Sequence, residues 1–260
     1  IQFTNWQGKG DVFQYPFGDF DYTNGDFLTW YYLHHTWPQL FPDTSYCEFY
    51  NPVSYLASTN KIVDDNVHVR NFRRTWDTSY HFDATKFGSW LRDNLCQSVE
   101  HTKARIITTL YHDDGHFNDE FLYSATVKSL VDDQGNEYEA DYFIDCSGFG
   151  SVLLEKSMGQ DFIPFPNLPN DSAVVTHVPY VDKNKEMKNQ TDGYAMDNGW
   201  CWTIPLWENI GKGYVYSSTH TTKDQAEQEF RKHLDWGGDV EHIEFKHGKR
   251  RLGWCNNVIG

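Results

Sequence analysis

Long apolar runs are missing from this sequence. No stretch approaches the roughly 18 apolar residues that a membrane-spanning helix requires, which sets a membrane protein aside. Positive charge is scarce as well: 22 Lys and Arg stand against 37 Asp and Glu, for a formal net charge of -15. Binding to a phosphate backbone draws on clustered Lys and Arg, so a nucleic-acid partner is not expected. The five cysteines (Cys47, Cys96, Cys146, Cys201, Cys255) are odd in number, scattered and without a CxxC pair. That spacing excludes a disulfide framework and a zinc knuckle, and no metal site is expected; reduced thiols fit a cytoplasmic protein. GxGxxG and GxSxG are both absent, so neither a complete dinucleotide fingerprint nor a nucleophile elbow can be claimed. The chain opens without Met, in what reads as mid-strand (IQF), and closes at VIG, as expected of a piece of a longer protein.

Aromatics are abundant, at 17% of 260 residues, with charged and apolar fractions ordinary for a folded globular chain. The first 60 residues, with stretches such as YPFGDFDYTNGDF, give no clean period and predict irregular structure, short strands and one helix around FLTWYYLHHTW. A second helix is expected in YHFDATKFGSWLRDNLCQSVEH, with Asp83 as N-cap and Phe87, Trp90, Leu91 and Leu95 at helical spacing. From Ala104 the period becomes that of strands. ARIITTLYH, FLYSATVKSLV and EYEADYFIDCSG, joined by DDG and DDQGN turns, predict a three-strand meander whose last run, YFID, is fully buried. A Gly turn, CSGFG, leads into SVLLEKSMG, expected as a short helix, and residues 160–198 read as loop-rich. GWCWTIPLW and GYVYSSTH then predict a hairpin around ENIGK, and Thr222 with Gln225 a capping box on KDQAEQEFRKHLDW, whose stripe is Ala226, Phe230 and Leu234. The whole is a mixed α/β (α+β) chain.

Most candidate chemistry has a plain structural reading. His112 and His116 bracket the DDG turn instead of sharing a helix face, so a solvated turn explains them better than zinc. Asp113-Asp114 and Asp132-Asp133 are turn residues, His34-His35 a surface or half-buried pair in a helix, and Asp83 beside His81 a cap. A buried strand entering Gly148-Phe149-Gly150 can bring backbone N–H groups near a phosphate, although such turns are common. GWCWTIPL resists the plain reading. On a strand, the pleat puts Trp200, Trp202 and Ile204 on one face and Cys201 and Thr203 on the other. Core strands favour Val, Ile and Leu, so two neighbouring indoles suggest an aromatic platform or the cover of a planar cofactor.

The run Trp200-Cys201-Trp202-Thr203-Ile204-Pro205 matches the WxWxIP motif, and this sequence resembles the flavin-dependent halogenases, in particular the tryptophan halogenase family. GDVFQYPFG (10–18), YHFDA (80–84), YFIDCSGF (142–149), LPNDSAV (168–174), GYVYSS (213–218) and GWCNNVIG (253–260) match in order along most of the chain. The resemblance implies an incomplete flavoprotein-monooxygenase-like fold, 1–260 being the central part of one FAD-dependent domain. It implies that reduced FAD and oxygen give a flavin hydroperoxide, that halide converts this to hypohalous acid, and that the acid travels to an aromatic, tryptophan-like substrate. A separate flavin reductase would supply the reduced cofactor. Trp200 and Trp202 would wall the substrate off from the flavin. Phe17 matches a substrate-stacking aromatic, and Tyr15 stands where these enzymes often carry His. Asp145, Cys146, Ser147 and Gly148 correspond to a strand end lining the FAD site, with Ile106 touching adenine through its backbone and Ile204 and Pro205, at the end of the motif, also counted among the cofactor-binding residues. Gly150 replaces a common Arg. The family's GxGxxG and catalytic lysine would precede Ile1, and its glutamate and halide loop would follow Gly260, so these 260 residues alone are not expected to halogenate. A flavin monooxygenase of the same fold and a non-enzymatic aromatic-rich binding module are the competing expectations.

Overall fold

The structure is a computed structural model that describes residues 1–15, 27–39, 46, 51–62, 78–112 and 125–260. Phe17, Cys47, Asp113, Asp114 and His116 lie outside the described residues. In chain order the elements begin with β1 (Gln2–Thr4), β2 (Val12–Gln14), α1 (Phe27–Thr36), α2 (Pro52–Ser58) and α3 (Ala84–Asn94). Next come β3 (Ile106–Tyr111), β4 (Val127–Asp132), β5 (Glu137–Glu139), β6 (Phe143–Ile144), a 3-10 turn at Gly148–Gly150 and β7 (Phe162–Pro164). β8 (Ser172–Pro179), α4 (Lys183–Glu186), β9 (Asp192–Met196), β10 (Gly199–Pro205), β11 (Asn209–Tyr216) and α5 (Lys223–Leu234) follow. β12 (Glu241–Glu244), β13 (Gly248–Arg250), β14 (Trp254–Cys255) and β15 (Val258–Ile259) close the chain. Among the described residues no helix is long and apolar enough to cross a membrane.

Two compact units share this chain, and each takes two segments of it: Ile1–Ser89 with Ser172–Ile243, and Trp90–Asp171 with Glu244–Gly260. The first is built on a seven-stranded sheet in the order β12-β8-β11-β10-β9-β1-β2. Strands β8, β11, β10 and β9 pair antiparallel, β9 and β1 parallel, and β1 and β2 antiparallel. Helix α5 supplies the buried Ala226 and Phe230, which pack with Val174, Cys201, Tyr214 and Tyr216. The expected capping box starts it: Thr222 Oγ1 accepts from the Gln225 N–H, and the Gln225 side chain accepts from the Thr222 N–H. At its end Asp235 takes the left-handed conformation with its N–H on Arg231 O.

The second unit holds the β3-β4-β5 meander, a β14-β15-β6 sheet and the β13-β7 pair. Its core is Val127, Phe143, Leu153, Leu154, Met158, Cys255 and Val258.

Several local expectations change. YFID does not continue the meander. Phe143–Ile144 pairs instead, in parallel, with Val258–Ile259. Nor is that run fully buried, because its sheet covers one face only: Phe143 is inside, while Tyr142 and Ile144 are exposed. SVLLEKSMG winds as turns. The Lys156 and Met158 N–H groups reach back to Ser151 O and Leu153 O, wider than an α-helical step, and Gly159 leaves the segment at positive φ. Residues 160–198 hold β7, β8, α4 and β9 and are not chiefly loop. The hairpin reverses at Leu206–Glu208, closed by Leu206 N–H on Asn209 O at 2.8 Å, so the predicted ENIGK turn instead opens β11. Asp83 does cap α3, accepting from Lys86 N–H at 3.0 Å. The expected α3 stripe stays exposed at Phe87, Trp90 and Leu95.

Candidate functional site: a tryptophan-bearing sheet face

The pleat of β10 divides its side chains as alternation requires. Cys201 points into the core beneath α5 and is fully buried, its thiol pushed up to about 12 by that burial. Trp200, Trp202 and Ile204 take the opposite face and stay half-buried. The two indoles lie 6.1 Å apart, centroid to centroid, tilted by 58°.

Register shows what surrounds them. Along one row across the sheet stand Phe13, Phe3, Gly193, Trp202, Gly213 and Val175. Glycine therefore flanks Trp202 on both neighbouring strands. A β-carbon on Gly213 would come within 2.0 Å of Trp202 Cζ2, and one on Gly193 would touch the Phe3 ring at 3.4 Å. The Trp202 and Phe3 rings lean over the bare backbone beside them, and the face becomes an aromatic patch of tilted rings. Phe3 stacks on Phe13 at 5.1 Å and meets the edge of Trp6 at 5.7 Å. The Trp6 indole N–H is satisfied by Gly193 O at 2.7 Å. Tyr15 joins the same sheet: its N–H and carbonyl pair with Ile1 at 2.8 and 2.9 Å, and its side chain is 68% exposed.

Ile204 and Pro205 form the end of the strand. The β9 ladder stops at Asp192 opposite Thr203, so Pro205, which lacks an N–H, sits where β9 no longer asks for one. Its carbonyl accepts from His81 Nδ1 at 2.9 Å, and His81 Nε2 lies 3.1 Å from Thr191 Oγ1. Burial lowers the His81 pKa, opposed by the bond to Pro205. Sequence reasoning treated His81 as a neighbour of a cap; its place in YHFDA was the available signal.

Ile106 and the Asp145–Gly148 run belong to the second unit. Ile106 opens β3 opposite Asp132, next to a register shift. Asp145 is a local organiser. One carboxylate oxygen accepts from the Ser147 N–H and hydroxyl, the other from the Leu153 and Leu154 N–H groups at 2.9 and 2.8 Å. Burial pushes its pKa up, but those hydrogen bonds outweigh it and hold the carboxyl below its ordinary range. Gly148 follows at φ 60°, with open space where a side chain would stand.

A cavity of about 320 Å³ opens beside this turn, lined by Asp145, Cys146, Gly148, Ser151, Arg250 and Gly260 among others. Arg250 went unnoticed in the sequence, where the Lys249-Arg250-Arg251 run in an acidic chain was its signal. It pairs with Glu155 at 2.5 Å and Ser151 Oγ at 3.2 Å, and its Nη1 is buried without a hydrogen-bond partner among the described residues. An unsatisfied guanidinium N–H and a glycine turn with free space suit an anionic dinucleotide. A larger cavity of about 740 Å³, with Gln160, Phe162, Phe165, Phe245 and His247 in its lining, contains none of the sequence-predicted residues.

Comparison with known proteins places this architecture. The profile described as tryptophan halogenase matches residues 1–260. Tryptophan 7-halogenase RebH from Lentzea aerocolonigenes is 30% identical over 279 aligned residues, covering 100% of this chain and 50% of RebH. The apo structure of VirX1 superposes with a TM-score of 0.87 at 39% identity, over 100% of this chain and 51% of that one. BrvH, a flavin-dependent halogenase from Brevundimonas sp. BAL3, gives 0.81 at 28% identity, again over 100% and 51%. The chain thus spans about half the length of these relatives. From its first residue to its last, this chain belongs to the tryptophan halogenase family.

Proposed function

We propose that the intact gene product is an FAD-dependent halogenase acting on an aromatic, indole-like substrate, with halide as co-substrate and reduced flavin delivered by a separate reductase. One observation carries the reading: in a chain that matches the family throughout, Trp200 and Trp202 stand together off the core, with Trp202 seated between Gly193 and Gly213. Neither indole titrates near neutral pH, so their contribution is bulk and rigidity, not proton transfer. They form a barrier that keeps an organic acceptor out while a small oxidised halogen species passes. Bound FAD supplies the oxygen-activating redox chemistry. The chain's part is to hold that cofactor, through the Cys146–Gly148 backbone, Ile106 and the Arg250 guanidinium, and to orient Tyr15 and Phe17 toward the substrate. Asp145 spends its carboxylate on backbone N–H groups and serves as a brace for the turn, not as a base.

The test is turnover by the intact protein with FAD, a flavin reductase, a nicotinamide reductant, bromide or chloride, and tryptophan or indole. Halide-dependent appearance of a halogenated product is expected, and Trp200→Ala or Trp202→Ala, by opening the barrier, should add a hydroxylated product that the wild type does not make. A hydroxylated product formed without halide would replace this reading with a monooxygenase. Failure to bind flavin would replace it with a ligand-binding module. The 260 residues alone should give no product.

A further inference from the structure

His81 occupies a position that capping does not explain. Strand β10 runs past its β9 neighbour, and from Ile204 onward, among the described residues, only β11 continues to pair with it. A strand end held on one side can pivot about its hairpin, and here that end begins at Ile204, two residues beyond Trp202, the last indole held by both neighbours. The imidazole closes the gap from outside the sheet. Pro205 O can only accept, so His81 Nδ1 carries the proton, and Nε2 is left to accept from the Thr191 hydroxyl. Thr191 is itself anchored, because its carbonyl accepts from Gln2 N–H of β1 at 2.8 Å. One ring thus ties the ends of β10 and β9 together just where their ladder stops. The same segment grips the hairpin again one turn later, through the Lys86–Glu208 ion pair; both side chains are exposed, so that contact adds little alone. Partial desolvation of the ring lowers its pKa, in the direction of the neutral state that this bonding pattern uses.

We infer that His81 is a positioning residue for the tryptophan-bearing face: it fixes the Pro205 end of β10 against Thr191 and thereby sets the angle at which Trp200 and Trp202 stand. The consequence for turnover rests on the proposed halogenase reading; the consequence for the indoles does not.

The experiment uses the intact gene product labelled with 5-fluorotryptophan, the fluorine resonances of Trp200 and Trp202 being assigned by replacing each with Phe. His81→Leu should move or broaden both resonances and lower halogenated product per reductant consumed by roughly threefold to tenfold, the scale of one lost hydrogen bond. His81→Asn, whose amide N–H can reach Pro205 O from the Nδ1 position, should restore both. His81→Gln, which reaches toward Thr191 instead, should not. Unchanged resonances and coupling in His81→Leu overturn the inference. So does a His81→Gln that restores them while a folded His81→Asn does not, and this pair decides the matter if His81→Leu fails to fold. If the wild-type protein makes no halogenated product, the functional reading falls, and the fluorine spectra still judge the clamp.

Discussion

The Trp202 indole lies over the backbone of Gly213, its partner on β11, so closely that a β-carbon there would sit 2.0 Å from Cζ2. Gly213→Ala should therefore cost about 1–3 kcal/mol or tip the ring off the sheet, as overpacking does elsewhere. Gly193→Ala faces only an ordinary contact with Phe3 at 3.4 Å and should be the milder change. Denaturant midpoints and tryptophan emission of the two variants check the order. Equal effects would mean that Trp202 does not need the bare strand beside it.

Asn257 stitches the second unit. Its Oδ1 accepts from Val127 N–H at 2.9 Å, and its Nδ2 donates to Val127 O at 2.8 Å and Asp141 O at 3.2 Å. Val127 is fully buried, so Asn257→Leu strands a buried amide and should destabilise by about 3 kcal/mol. Hydrogen exchange at the Val127 amide, slow in the wild type, should become one of the faster core signals.

Asp132 holds the DDQGN turn, accepting from Asn136 side chain and backbone, from Tyr138 Oη and from Gln134 N–H. Led by the Asn136 amide, these donors lower its pKa from 3.8 to about 2. A carboxyl whose pKa is depressed by folding stabilises above its unfolded value and loses that contribution as pH falls through the folded one. Acid destabilisation between pH 3.8 and about 2 should thus be shallower in Asp132→Asn than in the wild type, as denaturant midpoints across that window will read.

The thiols should divide by environment. Cys146 is exposed, whereas Cys201 and Cys255 are buried and both are pushed up by burial. A thiol reagent followed by peptide mass spectrometry should mark Cys146 in the native protein and reach Cys201 and Cys255 only after unfolding.

What the sequence could reveal was local. The capping box at Thr222 and Gln225, the cap at Asp83 and the pairing of β10 with β11 involve neighbours in the chain, and all are present. So is the division of Trp200 to Pro205 between two faces, because a strand's two faces follow from its pleat alone. The misreadings share a cause. Phe143 and Ile144 take their partners from Val258 and Ile259, far along the chain, and no period of two in YFID can announce that. SVLLEKSMG has helical composition, and the Asp145 carboxylate caps its first N–H groups at Leu153 and Leu154, yet from Lys156 and Met158 the backbone winds wider. The contacts of His81 and Arg250 were beyond reach for the same reason: what each touches lies distant in sequence.

The interleaving of the two units bears on biosynthesis. Strand β1 leaves the ribosome well before its parallel neighbour β9, which is 190 residues behind it, with much of the other unit made in between. Until that neighbour arrives, an aromatic edge around Phe3 and Phe13 stays unpaired, in the condition that invites misassociation. Synthesis that slows before β9 should thus favour aggregates, and holdase chaperones would act chiefly on this nascent edge.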